Sequence, residues 1–192
     1  MATGATIHRA DLSIADMDRN YYADHSLTLA RHPSETEERL MVRLLAFAVF
    51  AADDLEFGRG LSTDDEPDLW RRDLTGQVQT WIEVGLPEEK WLRKASGRSR
   101  EVVVLAYGAA KAEQWWKRNE QDLMRLDNLA VLSLPAAAGP SLASLAARSM
   151  RLDVTIQESQ IWLGSNAGEA SLQLQVLKAS AAGAGRAPQP AC

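Results

Sequence analysis

The sequence predicts an α/β domain with parallel strands, preceded by an N-terminal β-hairpin and followed by a short tail. Three observations carry this expectation. Residues 77–134 alternate strand-like and helix-like patterns, as βαβ units do; residues 34–50 hold an amphipathic helix; and residues 6–30 hold two segments of strand periodicity around a polar turn.

Residues 6–15 alternate in part (Ile7, Leu12, Ile14), residues 21–30 carry Leu27 and Leu29 at strand spacing, and residues 15–20 are the turn between them. Pro33 ends the extended segment, with His32 before it. Ser34 and Glu37 then form an S-x-x-E capping box that opens a helix, in which Leu40, Met41, Leu44, Leu45, Ala48 and Val49 bury one face. Residues 53–68 follow with seven acids and one base, Arg59, a local charge of -6. The whole chain carries -5, so the remaining 176 residues sum to about +1. Gly58, Gly60 and Pro67 interrupt this acidic block, which is expected to be a solvated connection as far as Glu66.

Residues 77–84 place Val78, Thr80, Ile82 and Val84 on one face and Gln79, Trp81 and Glu83 on the other, a strand ending near Gly85. Pro87 in a first turn, with Glu88 and Glu89, starts a helix to about residue 96. Residues 101–107 are nearly all apolar, as in a strand buried on both faces. Residues 109–126 are helical, with one ring of the Trp115–Trp116 pair expected inside and the other at a boundary. Residues 128–134 form another buried strand, 135–139 a breaker, 140–148 a short Ala-rich helix, and 152–178 two strands around a turn at 164–168. Residues 179–192 are expected to be a disordered tail, leaving 1–178 as a single domain.

Composition narrows the function classes. With 46% hydrophobic and 24% charged residues in 192, the chain can fill a core. Its longest apolar run, residues 44–52, is far below the roughly 20 needed to span a bilayer, so no membrane association is expected. Residues 1–11 lack an export signal and the single cysteine is Cys192, which excludes a disulfide framework or a Cys-based zinc site and points to the cytoplasm. His8, His25 and His32 lack the spacing of a zinc motif. No G-x-S-x-G is present, and Gly58-Arg59-Gly60 lacks the lysine and Ser/Thr of a phosphate loop.

Chemistry concentrates from the end of the acidic block onward. Asp68 follows Pro67, and Glu83 stands fifteen residues later at a strand end. A hairpin turning near residues 73–76 would bring both carboxylates to one end of the sheet, an oxygen-ligand pair suited to Mg²⁺. Two of the five lysines, Lys90 and Lys94, lie four apart on the next helix, where an ammonium could orient a metal-bound water and stabilise developing phosphate charge. Together with Arg93, Arg98 and Arg100 they make five bases within residues 90–100, a candidate nucleic-acid contact. The same residues also fit a plain turn, the polar side of a half-exposed strand and a solvated helix face.

The segments His32-Pro33-Ser34-Glu35-Thr36-Glu37-Glu38-Arg39, Leu55-Glu56-Phe57-Gly58, Glu66-Pro67-Asp68-Leu69-Trp70 and Trp81-Ile82-Glu83-Val84-Gly85 resemble the YaeQ family of bacterial proteins over residues 1–178. The resemblance implies a restriction-endonuclease-like, PD-(D/E)XK variant fold: a central mixed sheet flanked by helices, with an N-terminal β-hairpin. Pro67-Asp68 then stands at the PD position and Glu83-Val84-Gly85 at (D/E)-x-K, with glycine in place of the lysine. This makes Asp68 and Glu83 the implied Mg²⁺ ligands, Lys90 or Lys94 a migrated lysine, and Glu38 on the first core helix an accessory carboxylate. Two functions follow from it: a Mg²⁺-dependent nuclease acting on phosphodiesters, or a non-catalytic protein of nuclease-like fold that serves as a binding or regulatory module, with a loose link to transcription.

Overall fold

The computed structural model describes residues 4–59 and 65–181. Its strands form two mixed sheets, with four helices among the described residues and no barrel. In chain order the elements are β1 (Thr6–Asp16), β2 (Tyr21–Arg31), α1 (Glu37–Phe50), β3 (Leu55–Phe57), β4 (Leu69–Arg72), β5 (Val78–Val84), α2 (Glu89–Ser96), β6 (Ser99–Ala106), α3 (Ala110–Leu123), β7 (Leu129–Ser133), α4 (Ala138–Ala143), β8 (Ser149–Gln157), β9 (Gln160–Ser165), β10 (Gly168–Gln173) and β11 (Gln175–Lys178).

The first sheet has the order β10-β9-β8-β1-β2 and the second β11-β7-β6-β5-β4-β3. In the second, β5, β6 and β7 run parallel, joined by α2 and α3, as the alternating pattern of residues 77–134 predicts. The N-terminal hairpin forms with β1 and β2 in unbroken antiparallel register. It is not an appendage to one central sheet, however. β1 also pairs in parallel with β8, so the hairpin is nearly half of a second sheet. No local pattern announces a pairing between strands more than a hundred residues apart.

Between the sheets lies α1. Every residue from Leu40 to Phe50 is buried, so the helix is covered all round rather than on the one face its periodicity suggests. It packs with α4, with the inner residues Ala10, Leu12, Ile14, Leu152 and Leu163 of the first sheet, and with Leu69, Ile82, Val103, Leu105 and Leu132 of the second. On the far side of the second sheet, α2 and α3 cover Trp81, Val102, Val104, Leu129 and Val131 with Leu92, Ala112, Trp115 and Leu123. Trp115 is buried and Trp116 half-buried, as expected of the pair.

Several boundaries differ from expectation. The helix cap of α1 is Thr36, whose hydroxyl accepts the Arg39 N–H at 3.1 Å; Ser34 bonds His32 instead, so no Ser34–Glu37 capping box forms. The acidic block contains β3, an edge strand too short to show periodicity. Pro87 precedes the Glu88 cap of α2 rather than sitting in its first turn. α4 begins at Ala138, inside the predicted breaker, with Pro140 tolerated near its start. Residues 149–178 make four strands instead of two. The missed turn between β8 and β9 holds Glu158 and Ser159 at φ 50° and 63° without glycine, because Asp18 accepts both of their N–H groups at 2.7 and 2.8 Å. Most of the predicted tail, residues 182–192, lies outside the described residues. Among the described residues no helix is long and apolar enough to cross a membrane.

Candidate active site

The carboxyl ends of β5 and β6, the start of β4 and the first turns of α1 and α4 converge. The predicted hairpin of β4 and β5 forms, turning at Gly76 with φ 85°. Leu69 pairs with Ile82, so the next residues outward, Asp68 and Glu83, come side by side. Gly58 fixes this end of β4. Its N–H donates to the Asp68 carbonyl at 2.9 Å, and a Cβ there would stand 2.0 Å from the Pro67 carbonyl oxygen.

Asp68 is 6% exposed and both of its carboxylate oxygens are engaged. Oδ1 accepts from Nη2 of Arg39 at 2.7 Å, and Oδ2 accepts from the Val84 N–H at 2.8 Å. The other arm of Arg39 donates to Glu35 Oε1 at 2.9 Å, and Arg43, 3% exposed, donates to both oxygens of Glu35 at 3.1 and 3.2 Å. Arg43 Nε, 3.8 Å from Asp68 Oδ1, has no hydrogen-bond partner. Two guanidinium and two carboxylate groups thus form a charge-balanced quartet between α1 and the second sheet, buried except for the half-buried Arg39. Burial works against the charge of Arg39, but Asp68 and Glu35 outweigh it and hold the group above its ordinary range.

Glu83 sits in a different environment. Its Oε1 accepts indole N–H bonds from Trp81 at 2.7 Å and Trp91 at 2.6 Å. Burial, reinforced by the negative charge of Asp68, raises its pKa to about 7 against the two indole bonds and Arg39, which lower it. The adjacent carboxylates therefore differ in character: Asp68 is locked in an ion pair, and Glu83 is divided between its protonated and ionised forms near pH 7.

The other predicted residues divide. Glu38 is half-buried against α4, where its carboxylate lies against Gly139 and would collide with a Cβ there. Tyr107, just beyond β6, has its hydroxyl pushed up by burial first, eased by Arg39 and raised further by Glu38, Asp68 and Glu35. Lys90 is exposed on α2. Lys94 is also exposed; its ammonium donates to Asp65 and lies 5.1 Å over the Trp91 ring, on the outer side of the indole that holds Glu83. The basic stretch is partly spent internally, since Arg93 pairs with Glu89 and Arg98 with Asp65. At position 85 the backbone is left-handed, with φ 122° and its N–H on the Leu105 carbonyl, so a side chain there would be strained.

Sequence reasoning missed Glu35, Arg39 and Arg43. The signal was present: the three stand at i, i+4 and i+8, and Arg43 is a single charge inside an apolar helix, which requires a buried partner.

As they stand, these residues do not fit a divalent metal. One Asp68 oxygen is filled by a cation, the other by a backbone donor, and the bonded oxygen of Glu83 by two indoles. Among the described residues no three potential ligands gather to hold an ion.

Comparison with known proteins gives a consistent result. Residues 1–174 match the family model described as YaeQ protein. The chain is 42% identical over 174 residues to the Uncharacterized protein YaeQ of Escherichia coli (strain K12), covering 91% of this chain and 96% of that one, and equally to the protein of the same name from Salmonella typhi. Among solved structures, the YaeQ protein from Xanthomonas axonopodis pv. citri superposes with a TM-score of 0.89 at 55% identity, covering 91% of this chain and 99% of that one. The YaeQ protein from Pseudomonas syringae gives 0.87 at 37%, covering 92% and 98%.

Proposed function

The chain belongs to the YaeQ family, and from that premise we propose that it is a non-catalytic binding or regulatory module built on a nuclease-like fold, with nucleic acid as its ligand class. The exposed bases of residues 90–100 support nucleic acid as the ligand, and one observation carries the non-catalytic character. Arg39 occupies Asp68 at 2.7 Å, so a guanidinium stands where a metal-dependent nuclease would need its divalent ion. Supporting it, burial beside Asp68 raises the Glu83 pKa to about 7, so ionising Glu83 to receive Mg²⁺ carries a cost. The left-handed backbone of Gly85 disfavours any side chain at that position, and Lys94 pairs with Asp65 at the surface.

The second reading, a Mg²⁺-dependent phosphodiesterase, is favoured by the meeting of Asp68, before the start of β4, with Glu83, near the end of β5. In that reading Asp68 and Glu83 would have to exchange Arg39 and a proton for the ion.

A Mg²⁺ and Mn²⁺ titration read by thermal unfolding, with cleavage assays on DNA and RNA, separates the two. The binding module shows no metal-dependent rise in Tm, no cleavage beyond that of Glu83→Ala, and retention of labelled nucleic acid that weakens with salt. Cleavage that requires Mg²⁺ and disappears in Glu83→Ala would establish the phosphodiesterase instead.

A further inference from the structure

The two sheets have four edges, and three are short. β3 is three residues long, β11 is four and breaks register between Val176 and Lys178, and β10 is six. The fourth edge, β2, runs for eleven residues in unbroken register with no lysine or proline. Natural sheets avoid leaving such an edge, since it is a template for another strand.

Its free hydrogen-bonding groups can be assigned. Arg9 N–H donates to the Arg148 carbonyl and Met17 N–H to the Ile156 carbonyl, so odd residues of β1 face β8 and even residues face β2. The register Ala10↔Leu27 and Leu12↔His25 then commits the odd residues of β2 to β1. Tyr22, Asp24, Ser26, Thr28 and Ala30 therefore turn their N–H and C=O groups outward, and no described strand takes them.

The core is also unfinished on this side. The inward residues Tyr21, Ala23, His25 and Leu27 are only half-buried, whereas their neighbours Ala10, Leu12 and Ile14 on β1 are fully covered. An aromatic row leads across the opening: Tyr21 on His25 at 6.2 Å between ring centroids, His25 on Phe47 at 5.0 Å, and Phe47 on Phe57 of β3 at 5.4 Å.

We infer that β2 pairs with β2 of a second copy of this chain, antiparallel across a two-fold axis, fusing two five-stranded sheets into one. The strand is complementary to itself. With full overlap, Ser26 meets Ser26 on the axis, Asp24 faces Thr28, Tyr22 faces Ala30, and the Tyr21 ring faces Arg31. Outward residues meet only outward residues, so each pair exchanges both main-chain bonds, and no like charges stand opposite each other.

Sedimentation velocity of the full chain, from low micromolar to high micromolar concentration, tests this. The wild type should show a concentration-dependent dimer. Ser26→Pro removes the outward N–H on the axis and none of the main-chain bonds to β1, so the monomer stays folded. Thr28→Glu places a carboxylate opposite Asp24. Each should raise the dimer Kd about tenfold or more with unchanged far-ultraviolet circular dichroism, and adding Asp24→Lys to Thr28→Glu should restore the dimer. A wild-type monomer throughout, or a dimer insensitive to both single substitutions, would overturn the inference.

Discussion

At Glu83 a single proton links structure to pH. Its folded pKa of about 7 stands above the ordinary 4.5 because the carboxylate is buried beside Asp68. The folded chain therefore binds the proton more tightly than the unfolded one, and the stability this contributes is full below pH 4.5 and lost as pH rises through 7. Glu83→Gln keeps an oxygen for both indoles and removes the ionisation. In urea unfolding the variant should match the wild type near pH 4.5 and exceed it by about 2–3 kcal/mol at pH 8.5. Equal midpoints at both pH values would mean that Glu83 ionises without penalty. Of the site, Asp68 and Glu83 were legible in the sequence, since a Pro-Asp turn and a strand-end acid fifteen residues on fit one hairpin. Their states were not, because Arg39 reaches Asp68 from twenty-nine residues away and Trp91 reaches Glu83 from the next helix.

At the scale of elements, β4 is held at its start by an approach that only glycine permits. Gly58→Ala would drive a methyl into the Pro67 carbonyl oxygen, and backbone on both sides leaves no flexible group to yield. The expected cost is about 1–3 kcal/mol, with broadened resonances at Asp68 and Val84 by NMR. A variant of wild-type stability would show that the loop relaxes freely. Element types in residues 77–134 were readable because each strand is apolar and each helix amphipathic over enough residues to show a period. β3 and the paired strands β8 and β9 were not, since three residues carry no period and the turn at Glu158 and Ser159 is stabilised by Asp18 from the opposite end of the chain. The acidic block was read as solvated charge, yet Asp54 bonds Arg71 at 2.7 Å and Glu56 bonds Arg72 at 2.9 Å across to β4, and Asp65 holds Lys94.

At the scale of the whole molecule, α1 is shared. Both sheets bury their inner faces on it, so neither has a complete core without the helix. Leu44→Ala, at a position with no exposure, should cost about 2–5 kcal/mol. The loss should appear as one transition, with tryptophan fluorescence and circular dichroism shifting to the same urea midpoint. Tryptophan reports mainly on the second sheet and its helices, since only Trp162 lies in the first. Separate midpoints by the two probes would show that the sheets unfold independently. The pairing of β1 with β8 also sets an order of events during synthesis. At roughly 5–20 residues per second, the ribosome takes about 7–27 s to pass from Asp16 to Ser149. For that interval the hairpin waits without β8, and α1 can be covered only on the side that faces the second sheet.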